Sequence, residues 1–600
     1  MSRRIVEDVL GRDMTRELWT GNYNPVIPLS IQDFDLAGVL PAVFYMFRWG
    51  YRRGQGNFLK VFGAEQGTAQ QRRRSATIDR VAEHISKAST LQGFQGDVEQ
   101  AILGDLLLCY CLENKNHEMG RDQQIQRVAP AHYMASWVDL PDRLGDLRYI
   151  PEMLIALLAD QDSTDYVRQT ADRTWFAVGK DFRDNALLRA FHKGIEIKGI
   201  PSDRKSDYFV EDCPVGIDQL VMIRLAQQLH ESPDKLRGRE KSDISNQRPI
   251  AEKASRYFSE DIRRFIRAYA QLIPRQSLVP MLESSMAIGL TTILTSVVEI
   301  LHEWVNTGEI RKKCDQKPSA IFTDCSNGVD SKLRALAEQS MDDFMRKMER
   351  LPVILMALRI LDYCARHDPT IRKLNIKTIP YATEWINLLG EVMHKRRQES
   401  EPIFYNLEQK ANALAERLHE ENLEVSVILE NSRGYPNPVW RLAEALSMLM
   451  GRRNLWSNYL FCFESLLHIN RSNGLASKRR TKQTDPVTGA KSRDVRSLVF
   501  TDTVLDYLVH LHLLRSSNHG GTRALSFKDF LHILQERYGF YVDVAPPGMQ
   551  TSNDMLQRNR AVLERRLRDL GLLAGVNDAE AMKRLVPRYR LEEDIDHDDQ

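Results

Sequence analysis

Apolar positions recur every three or four residues along most of this chain, the period of helices that bury one face. Thr77–Thr90 and Asp97–Glu113 show it first; in the second, Val98, Ile102, Leu106 and Cys109 make one stripe. Tyr149–Asp160 predicts a short buried helix with Pro151 near its first turn, where proline is tolerated. Asp181–His192 is helical in pattern. Then follow Ser259–Leu272, Leu278–Val305, Asp330–Glu349, Val353–Arg366, Thr383–Arg397, Pro402–Glu421, Val439–Leu449 and Asn458–Ile469. Alternation at period two is scarce; Gly194–Pro201 (GIEIKGIP) reads as a strand or extended loop. The fold class expected is therefore mainly α, a multi-domain helical protein.

Interruptions in the pattern suggest where the chain divides. Residues 1–74 read as an irregular segment rich in Arg and aromatics, Phe44, Tyr45, Phe47, Trp49 and Tyr51 among them; Trp49, Tyr51, Arg52 and Arg53 could stack on bases or bind phosphate, and an interface with another subunit is the reading taken. A helical domain over 75–230 follows, then a charged linker over 231–258, of which Glu231–Ala251 is the most polar part. Residues 259–431 form a second helical domain. The Gly- and Pro-containing break at Ser432–Pro438 starts a helical extension over 432–469. Thr307–Asn327 reads as a Lys-rich break inside the second domain. Ser284–Val298 is uncharged but shorter than the roughly 20 residues a membrane span needs, so a buried core helix is expected and no membrane.

The last hundred residues have the pattern of a small winged-helix-like module, 498–590. Thr501–Leu514 is a helix with Leu505, Leu508, Val509 and Leu513 inward. Ser526 and Asp529 form a capping-box-like start for the next helix, which Gly539 ends. Phe540–Asp543 is a strand signal and Ala545–Gly548 a turn. Ser552–Leu570 is an amphipathic helix, with Leu556, Leu563, Leu567 and Leu570 on one face and Arg558, Arg565 and Arg568 on another. Asn577–Val586 is expected to add a short helix. Helical arginines at this spacing suit a phosphate backbone or a major groove, and equally an ordinary solvated face.

Charge sharpens the picture locally and not globally. Lys+Arg (83) and Asp+Glu (81) nearly cancel, so any nucleic-acid surface must be confined to one place. The clearest place is 470–497, where eight Lys or Arg, including Lys478, Arg479, Arg480 and Lys482, face two Asp. Few large apolar residues interrupt it, which predicts a flexible basic linker able to hold phosphates by counterion release, or simply to solubilise. The tail 591–600 is acidic. Seven scattered cysteines form no C-x-x-C pair, and no apolar stretch follows the basic N-terminus, so a reducing cytoplasm is expected.

Catalytic patterns are sparse. No P-loop, H-E-x-x-H or G-x-S-x-G occurs, which favours a non-enzymatic chain with no cofactor. One alternative is an E-x-K arrangement, Glu196 and Lys198 with Asp181 or Asp184 as a further acid, of the kind that holds Mg²⁺ in restriction-type nucleases. Its bland counterpart is two exposed neighbours on a short strand. His192, His302, His419 and His512 lack paired ligand spacing and read as ordinary histidines.

The text FLHILQERYGFYVDVAPPGM (530–549) and NRAVLERRLRDLGLLAGVNDAEAMKRLVPRY (559–589), with DFRDNALLRAFHKGIEIKG (181–199), resembles large helical accessory proteins of bacterial methylation-associated anti-phage defence systems. The resemblance transfers no active-site residue. It implies a cytoplasmic subunit whose partners are other subunits of a defence complex, with DNA as a further candidate. A purely structural protein–protein adaptor is the remaining alternative.

Overall fold

A computed structural model describes residues 2–49, 63–66, 73–76, 78–87, 91–113, 125–128, 149–158, 186–191, 195–197, 207–209, 248–376, 381–485, 489–515, 521–575 and 583–591. The chain divides into two compact units: residues 1–33, 245–268 and 280–600, and residues 34–244 and 269–279.

The first unit opens with α1 (Ser2–Leu10) and α2 (Arg12–Leu18). Val6, Leu10, Met14 and Leu18 recur at four-residue spacing and are all buried, which is why helices form where the many Arg and Gly residues suggested irregular chain. The second unit contributes α3 (Val39–Trp49), α4 (Ile78–Ser86), α5 (Asp97–Tyr110), α6 (Ile150–Leu158) and α7 (Ala186–Phe191). Between them lie three antiparallel pairs: β1 (Gly63–Gln66) with β2 (Arg73–Ala76), β3 (Cys111–Glu113) with β4 (Ile125–Val128), and β5 (Ile195–Ile197) with β6 (Asp207–Phe209). α3 packs on α6, and Phe44 is buried with its ring 4.9 Å from that of Phe191.

The rest of the first unit is built on α8 (Glu252–Tyr269) and α9 (Arg275–Thr307). α8 runs through the end of the stretch expected as a linker, because Ala254, Phe258, Ile262, Phe265 and Ile266 supply a buried stripe among its charges. Residues 231–247 of that stretch lie outside the described residues. α9 is long and apolar enough to cross a membrane, with mean hydropathy 1.6 over its best window, yet 94% of that window is buried inside the protein. Gly289 lets α8 come close: a Cβ there would stand 1.9 Å from the Phe258 ring.

After α9 come β7 (Ile321–Asp324), α10 (Ser331–Met348), α11 (Leu351–His367), α12 (Pro369–Lys373), α13 (Thr383–Met393), α14 (Ser400–Leu418), α15 (Leu423–Glu430), α16 (Pro438–Leu449) and α17 (Arg452–Leu466). α11 is the hub, packed on α16, α13 and α2, with Leu355, Met356, Ala357 and Leu358 fully buried. The chain closes with β8 (Ala476–Asp485), β9 (Gly489–Val499), α18 (Asp502–Leu513), α19 (Phe527–Tyr538), β10 (Phe540–Tyr541), α20 (Asn553–Asp569), β11 (Leu573–Ala574) and β12 (Arg584–Leu585).

A four-stranded sheet, ordered β10-β7-β9-β8, organises this half. β10, β7 and β9 run parallel; β8 is antiparallel to β9 at the edge. β7 is the strand hidden inside the expected Lys-rich break. Its four residues, Ile-Phe-Thr-Asp, are all buried, so no alternation marks them. The expected flexible linker 470–497 is instead the β8–β9 hairpin. Lys and Arg on an edge strand keep it soluble without preventing pairing, and ten consecutive residue pairs from Ala476↔Leu498 to Asp485↔Gly489 hold its register.

The C-terminal helices form with the expected caps: Ser526 accepts from Asp529 N–H, Ser552 from Met555 N–H, and Gly539 ends α19 at φ +74°. Arg584–Leu585 is a strand where a short helix was expected. It pairs with β11, and Phe527 N–H to Lys583 O (3.0 Å) and Leu585 N–H to Leu525 O (2.9 Å) add a third extended segment before α19. Ladder bonds available on both sides override the weak helical periodicity of that stretch.

Candidate nucleic-acid interface

The hairpin arm projects past β7. β9 meets β7 only at Leu498 and Val499, so Gly489–Ser497 continues beyond that pairing for about 30 Å at roughly 3.4 Å per residue. Strand alternation sorts its cations onto two faces. Arg479 and Arg493 share one face and lie on α10, where Glu338 and Asp342 stand one turn apart. Arg479 grips Glu338 bidentately (Nε 2.5 Å, Nη2 2.7 Å), and Arg493 Nη2 lies 2.8 Å from Asp342. Lys478 and Arg496 share the other face and converge on Glu464 of α17, at 3.0 Å from Lys478 Nζ and 2.6 Å from Arg496 Nε. Lys478 also pairs with Asp494 at 3.3 Å.

Two residues further out the ion pairs stop among the described residues. Arg480 and Lys482 are exposed on the Lys478 face, opposite Asp494 and Ser492 in the register. Arg480 Nε donates to the Ser492 hydroxyl at 2.9 Å. Neither cation has a carboxylate within ion-pairing distance among the described residues.

α20 presents the other set. Arg558, Arg565 and Arg568 do lie on its exposed face, while Leu563 and Leu567 are buried. Each arginine, however, has an acid beside it. Arg558 pairs with Asp330, the N-cap of α10; Arg565 lies 3.8 Å from Asp569; Arg568 lies 2.6 Å from Glu564. The inner side of α20 bolts the carboxyl ends of the parallel strands together. Asn559, fully buried, donates to Thr323 O and Val542 O (both 2.9 Å) and accepts from Cys325 N–H (3.0 Å). Arg566 donates to Cys325 O and Phe500 O (2.9 and 2.7 Å) and pairs with Asp502.

A third group went unnoticed in the sequence. Asp261 on α8, buried, accepts from Arg537 Nε (3.1 Å) and from the Tyr538 hydroxyl (2.7 Å). Tyr538 in turn lies 2.9 Å from His512 Nε2, which therefore carries the proton. Ser285 donates to the Tyr507 hydroxyl at 2.7 Å, and the Arg537 guanidinium lies 3.9 Å from the centre of the Tyr257 ring. Burial lifts the Asp261 carboxyl above the usual aspartate range, against the pull of Arg537. Burial first, and then Arg537, Arg264 and Arg523, push His512 well below the usual histidine range. A narrow cleft lies among Tyr257, Asp261, Ser285, Tyr507 and Tyr538. Such perturbed groups can mark an active site, but here Asp261, Ser285, Tyr507, Arg537 and Tyr538 bond to one another, and the set fastens α8, α9, α18 and α19 together. His512 is the one member that the sequence singled out.

The E-x-K candidate is not assembled in view. Glu196 sits on β5 opposite Tyr208, and Asp181, Asp184 and Lys198 lie outside the described residues, as does the acidic tail from 592. Among the described residues, no cluster of three or more His, Cys, Asp or Glu could hold a metal ion.

These features define a mainly α protein with a mixed sheet in its C-terminal half and a cationic hairpin on that sheet's edge. Residues 57–589 match the family of methylation-associated defense system protein MAD7, and the chain belongs to that family. It is thus a protein of a methylation-associated defence system. No curated protein and no solved structure is similar to it.

Proposed function

We propose that this chain is a non-enzymatic scaffold subunit of a DNA-directed defence complex and that its β8–β9 arm is the surface that touches DNA. The observation that carries this is the contrast along the arm. Lys478, Arg479, Arg558, Arg565 and Arg568 each have a carboxylate within 4 Å, while Arg480 and Lys482, adjacent on one open face, have none among the described residues. Cations without protein partners are the ones free to release counterions from a phosphate chain.

The helical body supplies the area on which partner subunits dock. The C-terminal segments support a winged-helix-type reading: helix, extended segment, two helices, then the β11–β12 pair follow in that order. β10, which joins the main sheet between α19 and α20, is an addition to that order. The recognition position would fall to α20, whose acid-matched arginines and buried Asn559 suit docking better than reading. Cytoplasmic placement is supported by Cys314, Cys325, Cys364 and Cys462, all free thiols.

Anisotropy of a labelled DNA duplex titrated with the full chain tests the reading. Binding at 50 mM salt should weaken steeply by 200 mM, and Arg480→Ala with Lys482→Ala should weaken it at both. Absence of binding at low salt, combined with stable co-purification with neighbouring gene products, would leave the purely structural adaptor instead.

A further inference from the structure

Resting on the DNA-contact reading of the arm, we infer that its ligand is the phosphate backbone of double-stranded DNA, taken in preference to single strands and without regard to base methylation. The arm then supplies grip and does not read methylation.

Three properties of the arm lead there. First, no aromatic residue occurs between Ala476 and Val499. Proteins that hold single strands stack bases on aromatic rings, and each such stack is worth a substantial part of their affinity. Without that platform only charge remains, and duplex DNA presents the denser charge, with a salt slope of about 0.9 per neutralised phosphate against about 0.7 for a single strand.

Second, among the described residues no apolar side chain stands across the strand from Arg480 or Lys482 for a base methyl to pack against. Methyl groups in the major groove are met by apolar side chains, and the residues flanking Arg480 and Lys482 across the strand are Ser492 and Asp494.

Third, the two cations are poorly set up to read base edges. Arginine reads guanine through a free, bidentate fork, whereas Arg480 spends its Nε on Ser492. Lys482 offers a point charge. Alternation puts the two on the same face, about 7 Å apart at roughly 3.4 Å per residue, so both can serve one backbone at once.

The experiment measures dissociation constants of the full chain for one sequence in three forms: unmethylated duplex, the same duplex methylated on adenine or cytosine, and the corresponding single strand. Each is measured between 50 and 200 mM salt. Expected are equal affinities for methylated and unmethylated duplex within about twofold, weaker binding of the single strand, and a log–log salt slope reduced by about 2 in the Arg480→Ala, Lys482→Ala double variant. Single-strand binding as tight as duplex binding, or a methylation effect of tenfold, overturns this inference while leaving DNA contact intact. A double variant with an unchanged slope overturns it too, by moving the contact off the arm. Failure of all three DNA forms to bind removes the contact itself, a different result from any of these.

Discussion

Along β8 and β9 the cations change partners with distance from the body; along α20 they do not. Near the sheet, Arg479, Arg493, Lys478 and Arg496 are matched to Glu338, Asp342 and Glu464, and beyond Arg479 the matching ends on the open face. On α20 every arginine from Arg558 to Arg568 has an acid or a backbone carbonyl to hold, from the loop after β7 (Asp330), the loop after β10 (Asp543), α18 (Asp502), or α20 itself. Two arginine-bearing stretches of sequence therefore differ in what they can offer a polyanion. The difference is written in where the acids stand, on α20 itself and on the elements around it. Substitutions should expose it as a series, from arginines whose partners are buried to cations with no partner, with the stability effect shrinking as the effect on DNA grows.

The largest loss of stability is expected at Arg537. Its removal as Arg537→Ala strands the buried Asp261 carboxylate, a change that costs about 3–5 kcal/mol in chemical denaturation. The same variant should be less sensitive to acid. In the native chain His512 resists protonation, so the unfolded state takes up the extra proton as pH falls below about 6.5, and stability is lost in that direction. Without Arg537 the folded His512 and Asp261 both bind protons more readily, and the decline between about pH 6.5 and 5 should flatten. A variant curve parallel to the native one would separate this cluster from the pH response.

Next comes Asn559→Ala. It leaves the Cys325 amide and the Thr323 and Val542 carbonyls without their partner in a dry site, for a loss of roughly 3 kcal/mol by the same measurement. Such a loss with unchanged DNA affinity per folded molecule would mark α20 as a fastener. Salt-dependent DNA binding lost on replacing Arg558, Arg565 and Arg568 together would reverse the comparison.

How much of this was legible in sequence follows the same divide between local and distant causes. Caps and stripes are local, and α18, α19 and α20 form as their text implies, down to Ser526, Gly539 and Ser552. The three arginines on the exposed face of α20 were readable too, because helical period alone places them. β7 was not: four buried residues carry no alternation, and its partners β9 and β10 lie some 170 to 220 residues downstream. The hairpin was missed because its alternating side chains are nearly all polar; the arm is held by pairing and by Glu338, Asp342 and Glu464, which nothing nearby in sequence announces. For the same reason the basic segment was visible as charge, while the division between its anchored root and its open end was not.

That division yields smaller effects, each checkable. Arg479→Ala gives up a bidentate pair at the surface, where Glu338 is well covered but Arg479 is exposed, and should cost no more than about 1 kcal/mol. It should lower DNA affinity only by loosening the arm. Arg480→Ala with Lys482→Ala should change stability least, by less than about 0.5 kcal/mol, since neither side chain has a carboxylate to lose among the described residues and both stand in solvent. The pair is therefore the sharpest probe of the arm: melting should be unmoved while the salt slope of duplex binding falls. Melting that drops with affinity would mean these cations support the hairpin itself, and the boundary between root and open end would have to move outward toward Lys491.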